Sequence, residues 1–222
     1  MKAFILQVYP YLTWVGTLLI LAGSLAAGFA YRGRDGSRYK ILNHFISELG
    51  EVGVSRMAWT FNTGMILGGI LFVPLMIGLG LRLESVWGWL GTGFGVIAAI
   101  SATLVGVFSM ERLTPHRKAA MTFFRSGLLT VLFYTIAIFT QSGEQRLIPL
   151  GLNVVGLLAL ASYSAFLLTV RSKMDKDENP NYILNPQQQP ERPRVWHSAV
   201  LEWSIFFTTI AWFVMAGVFS ML

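Results

Sequence analysis

The sequence predicts an all-α integral membrane fold: a six-transmembrane-helix bundle with an amphipathic interfacial helix after the first span. Three observations carry this expectation. The chain is 54% hydrophobic and only 13% charged over 222 residues, whereas soluble domains carry about 25% charged residues. Its mean hydropathy is +0.58. Six apolar runs each reach the roughly 20 residues that cross a bilayer core about 30 Å thick, and none has a charge near its middle. These runs are continuous and so read as helices, because the strands of a membrane barrel alternate at period two.

In chain order the spans fall at about 11–30, 61–81, 86–109, 119–140, 147–170 and 199–221, and residues 1–222 read as a single membrane domain. The first run ends in small residues, Ser24 to Ala30, as a signal peptide would. Its basic n-region is only Lys2 and it is as long as a full span, so it reads as a retained helix. Pro74 should kink the second span by removing one backbone donor. Gly64-x-x-x-Gly68 and Gly91-x-x-x-Gly95 allow close helix approach, which reads as packing ahead of a dimer seam. Asn62 and Asn153 are polar residues within spans, where interhelical hydrogen bonding accounts for each. Tyr9, Tyr11, Trp14, Trp87 and Trp89 are expected in one interfacial belt, and Tyr31, Trp59, Trp196 and Trp203 in the other.

Orientation follows from the basic residues. All of the 17 Lys and Arg except Lys2, Arg82 and Arg146 lie in the first, third and fifth connections and their flanking turns. The positive-inside rule places these connections in the cytoplasm and both termini outside it, the simplest setting being a prokaryotic plasma membrane. The net charge of +6 is thus spent on topology, and nucleic acid is not an expected partner. There is no cysteine, which excludes disulfides, thiolate metal sites and covalently attached haem. Nor is there a Walker loop, a dinucleotide fingerprint or a nucleophile elbow.

The connections differ in kind. Residues 171–196 are polar, contain Pro180, Pro186, Pro190 and Pro193, and read as a flexible loop. Over 39–58, by contrast, Ile41, Leu42, Phe45, Ile46, Leu49 and Val52 recur at helical spacing, which predicts the amphipathic helix. His44, Ser47, Glu48 and Glu51 fall on one face of it, at i, i+3, i+4 and i+7. That face reads first as solvated. The same spacing would also let His44 and Glu48 hydrogen-bond, ligate a metal or act as a base and its orienting partner.

All three histidines, His44, His116 and His197, lie in these same connections close to a span. Three imidazoles plus a carboxylate or water would suit zinc, although no two share a local ligand spacing. Glu202 sits about one turn inside the sixth span, where an ionisable side chain faces a cavity, a partner or a pathway. Pairing with Arg117 or Arg125 is the structural alternative.

Four short motifs recur together in a known pattern: Ile46-Ser47-Glu48-Leu49-Gly50, Phe61-Asn62-x-Gly64, His116-x-x-x-Ala120-x-x-Phe123-Phe124 and Glu202-Trp203. In these the chain resembles the prokaryotic membrane family called domain of unknown function 998, and its apparent eukaryotic relatives, the FRAG/DRAM/SFK-type proteins. The resemblance implies six spans and a functional cluster near Ser47, Glu48, His116 and Glu202, in a setting of lipid handling. Relatives often carry acid-Thr-Gly where this chain has Glu48-Leu49-Gly50, and their first connection is often assigned to the non-cytoplasmic side.

Three readings of function follow. A lipid-associated protein would bind a headgroup at Ser47, Glu48, His116 and Glu202, with Arg117 and Lys118 attracting anionic phosphate. A hydrolase acting on a lipid would hold zinc with His44, His116 and His197 and use Glu48 or Glu202 as general base. Without that zinc no cofactor is expected, and whether the chain is an enzyme stays open. An accessory subunit would present apolar and glycine faces to a larger membrane complex or to a second copy.

Overall fold

The protein is described here by a computed structural model covering residues 1–34, 36–141, 147–174 and 192–221. Among the described residues there are six α-helices: α1 (Lys2–Ala30), α2 (Ala58–Leu83), α3 (Val86–Val107), α4 (Leu113–Phe139), α5 (Gly151–Met174) and α6 (His197–Met221). No strand occurs among the described residues. All six are long and apolar enough to cross a membrane, so the chain is a multi-pass membrane protein. Each helix packs mainly on its neighbours in sequence, and α6 returns to α1 to close a ring.

Small residues set how closely this ring is drawn. A Cβ on Gly64 would stand 2.7 Å from the Leu19 carbonyl oxygen, and one on Gly23 would strike the Thr60 carbonyl, so α1 and α2 touch through their backbones. Gly91 faces the Tyr134 ring and Gly95 faces Met76, both inside the bundle. The Gly-x-x-x-Gly pairs are therefore used in packing within the chain. Polar glue supplements this contact: the Met76 carbonyl accepts from Tyr134 Oη at 2.7 Å and from Thr92 Oγ1 at 3.0 Å, joining α2, α3 and α4.

Several boundaries differ from expectation. Helix α1 begins at Lys2 and runs through Pro10, where the sequence suggests a start near Tyr11. Helix α4 begins at Leu113, ahead of the expected 119, because Pro115 falls in its first turn, where no intrahelical donor is needed. Residues 171–174 extend α5; the prolines at 180, 186 and 190 lie outside the described residues. Trp196 and Trp203 are buried in protein and not at the lipid boundary, as are Tyr9 and Tyr31.

The largest correction concerns 39–58. No amphipathic helix forms there. Turns lead into a 3-10 helix, Ile46–Gly50, and further turns lead to α2. The apolar spacing is present, but the polar residues also point inward: His44, Glu48 and Glu51 are each at most 3% exposed. The segment is a folded cap over one end of the ring. Gly50 presses on α2 so closely that a Cβ would strike Asn62, whose Nδ2 donates to the Gly50 carbonyl at 3.0 Å. Asn62 thus fastens the cap, while Asn153 bridges helices as expected, donating to the Thr135 carbonyl at 3.3 Å.

Candidate functional site

The first, third and fifth connections converge on this cap. Trp196 N donates to Leu42 O at 2.8 Å, and Asn43 Nδ2 donates to Pro193 O at 3.2 Å. The Phe45 and Trp196 rings meet edge to face at 5.1 Å. From the third connection, the Glu111 carboxylate accepts from Val52 N at 3.4 Å.

Glu48 is the clasp of this assembly. Arg192 donates to both of its oxygens, at 3.0 and 2.9 Å, and to the Asn43 carbonyl at 2.7 Å. The Phe45 amide donates to Glu48 as well, at 2.8 Å. Burial pushes the Glu48 carboxyl above its ordinary value, and the Arg192 pair and the Phe45 amide oppose that push. Glu51 is likewise raised by burial, against the pull of Arg34, which donates to it at 3.1 Å. Burial and the neighbouring Glu48 raise the Tyr31 phenol, keeping it neutral.

Inside the ring lies a cavity of about 110 Å³, walled by all six helices and the cap. Its wall is apolar along most of its length, with Ala98, Ala102, Phe123 and Trp212 among its residues, and it meets Ser47, His116 and Glu202 where the cap closes it. A smaller crevice of about 30 Å³ lies on the far side of these three and is also bordered by Met110, Leu113 and Arg117. Ser47, His116 and Glu202 border both hollows. Glu48 borders neither of them, and Lys118 is exposed on α4.

Each member of the trio is held by the backbone or by a neighbour. Glu202, 7% exposed, accepts from the Ile46 amide at 2.8 Å through Oε2. Neither Arg117 nor Arg125 pairs with it. His116 Nδ1 lies 2.7 Å from the Phe108 carbonyl at the end of α3. A carbonyl can only accept, so Nδ1 carries a proton and donates it here. This bond also caps an orphan carbonyl of α3. The Ser47 hydroxyl donates to Met110 Sδ at 3.2 Å.

The other histidines stand apart from the trio. His44 packs against the Tyr31 and Tyr39 rings, which also touch each other, with Nδ1 2.8 Å from Asn43 Oδ1, and His197 is exposed at the start of α6. Among the described residues no three His, Cys, Asp or Glu come together in a group able to hold a metal ion. The donor set that a zinc centre would need is not assembled by these side chains.

Sequence reasoning singled out Ser47, His116 and Glu202 but missed Arg192 and the apolar wall. Arg192 stands 144 residues from its partner, and nothing local marks it. The wall residues carry no signal either, because apolar side chains facing a hollow look the same in sequence as those facing a core.

This six-helix bundle with a capped internal cavity belongs to a family known only as a family. Residues 14–219 match the model of "Protein of unknown function (DUF998)", and the chain is a member of it. No curated protein and no solved structure matches the chain.

Proposed function

We propose that the protein binds a membrane amphiphile one molecule at a time, its apolar chain in the central cavity and its polar end at Ser47, His116 and Glu202. The observation that carries this reading is the pairing of an apolar cavity of about 110 Å³ with a buried acid at one end. A hollow of this size forfeits roughly 2–3 kcal/mol if left empty. It is comparable to an engineered apolar cavity of about 150 Å³ that takes benzene. The resemblance to FRAG/DRAM/SFK-type proteins points the same way.

In this reading Glu48 holds the cap and does not touch the ligand. The zinc-hydrolase reading lacks its ligand set, and no reaction is assigned to the trio. The subunit reading finds little support in the glycine pairs, which are used inside the chain. By its charge pattern the capped end faces the cytoplasm of a prokaryotic plasma membrane.

Native mass spectrometry of protein extracted in mild detergent tests the proposal. Wild type should carry one amphiphile-sized adduct. Ala102→Phe together with Ala120→Leu, which fill the cavity, should remove the adduct and leave the protein folded. An adduct that survives in the filled variant places the ligand elsewhere and overturns the reading.

A further inference from the structure

Arg125 stands near the midpoint of the 27-residue helix α4, on the outer wall of the ring. Two contacts with α3 give its depth. His116 bonds the Phe108 carbonyl at the capped end of α3, and the Tyr134 ring lies against Gly91 near the other end. Arg125 falls midway between His116 and Tyr134 in the chain, so it is level with the middle of α3. That helix has 22 residues and is about 33 Å long, close to the thickness of a bilayer core. Counted from 119, the fourth span would set Arg125 nearer its end; the fold sets it deeper. Its side chain is exposed, and among the described residues it has neither an ion pair nor a hydrogen bond. An arginine facing lipid at this depth is costly and calls for an anion.

We propose that this face of α4 binds the phosphate of an anionic phospholipid from the leaflet at the capped end, at a site separate from the central cavity. Lys118, Thr122 and Arg125 recur at i, i+4 and i+7, all exposed, and form one stripe. A helical side chain leans over the turn N-terminal to it, which in α4 is toward the cap. The Arg125 guanidinium is thereby carried toward Lys118 and toward headgroup depth. On the other side of Arg125 the same face continues as Leu129 and Leu132, both half-buried. The stripe is thus polar toward the cap and apolar toward the far side, the order of a lipid within one leaflet. Thr122 spends its hydroxyl proton on the Lys118 carbonyl at 2.9 Å, so the two cations are the donors here. A guanidinium takes a phosphate through two parallel bonds, and a zwitterionic lipid would set its own ammonium against Lys118. Beyond Lys118 the face ends at Glu111, whose carboxylate already accepts from the Ser109 hydroxyl and the Val52 amide. A second copy of this chain brings no acid to this depth, since Glu202 is the one acid within a span and is buried inside the ring.

The test titrates the delipidated full-length protein with phosphatidylglycerol or phosphatidylcholine of the same acyl chains and reads retained lipid by native mass spectrometry. Wild type should hold phosphatidylglycerol at least about tenfold more tightly than phosphatidylcholine. In Arg125→Leu that preference should shrink to within about threefold, and Lys118→Ala should reduce it in part. The cavity-filled variant, Ala102→Phe with Ala120→Leu, should keep it whole, because the stripe lies outside the ring. Equal retention of the two lipids by wild type, or an undiminished preference in Arg125→Leu, overturns the proposal. Loss of the preference in the cavity-filled variant also overturns it, by assigning the lipid to the cavity. A second protein chain that accompanies wild type and leaves in Arg125→Leu would put a helix on this face instead. Leucine suits a lipid-facing position, so Arg125→Leu should fold; the wild-type comparison and Lys118→Ala decide the matter even if it does not.

Discussion

Glu48, on the cap, and Glu202, on α6 beneath it, are both buried acids, and their partners give them opposite tasks. Glu48 has a bidentate guanidinium and a backbone amide, so its charge is matched within the protein. Glu202 accepts from the Ile46 and Ser47 amides and from the Ser47 hydroxyl, has no guanidinium on it, and borders a hollow. Removing Glu48 should therefore be a stability event. Glu48→Ala leaves Arg192 without its partner, and breaking a buried pair costs about 3–5 kcal/mol. Arg192 is 29% exposed and regains some water, so about 2–3 kcal/mol is expected. Denaturant unfolding of the single variants and of the double variant with Arg192→Ala measures it. A double variant much less stable than Glu48→Ala alone would contradict the pairing. The two acids could not be told apart in the sequence: each sits in a short motif, and only the fold shows which one has a cation.

At the scale of elements, the six spans were legible because hydrophobic length is a local property, set by the bilayer. The cap was not. Its apolar spacing over 39–58 is that of an amphipathic helix, and a helix with that pattern would put His44, Ser47, Glu48 and Glu51 in water. The chain instead turns these residues inward, because partners more than a hundred residues away satisfy them: Arg192 for Glu48, and Glu202 for the Ile46 amide. Glu48 also bonds its own upstream amide, and such local bonds compete with an α-helix. Gly50 is the position on which this geometry turns. Gly50→Val should lift the cap from Asn62 and Phe61 at a cost of about 1–3 kcal/mol, the usual range for overpacking. Faster hydrogen exchange confined to the cap would show it, and unchanged exchange there would contradict the packing.

At the scale of the whole molecule, a closed ring with a cap at one end has a direction in the membrane, and the proposed one puts the cap on the cytoplasmic side. The absence of native cysteine makes this simple to check with single substitutions. Cysteines at Lys40 and Lys118 should be protected from an impermeant maleimide in intact cells, and one at Glu84 should be labelled. The reverse pattern would turn the capped end outward and match the orientation often assigned to relatives. The cavity itself is a property of the whole ring, since its wall draws on every helix; no single segment could have revealed it. The central claim is that this hollow holds a ligand, and the most direct measurement is a density map of the protein in a native-lipid nanodisc. The expected map has one elongated density starting beside the Glu202 carboxylate and running along the apolar wall toward Trp212. A cavity without such density, or one closed by inward movement of the helices, would contradict it.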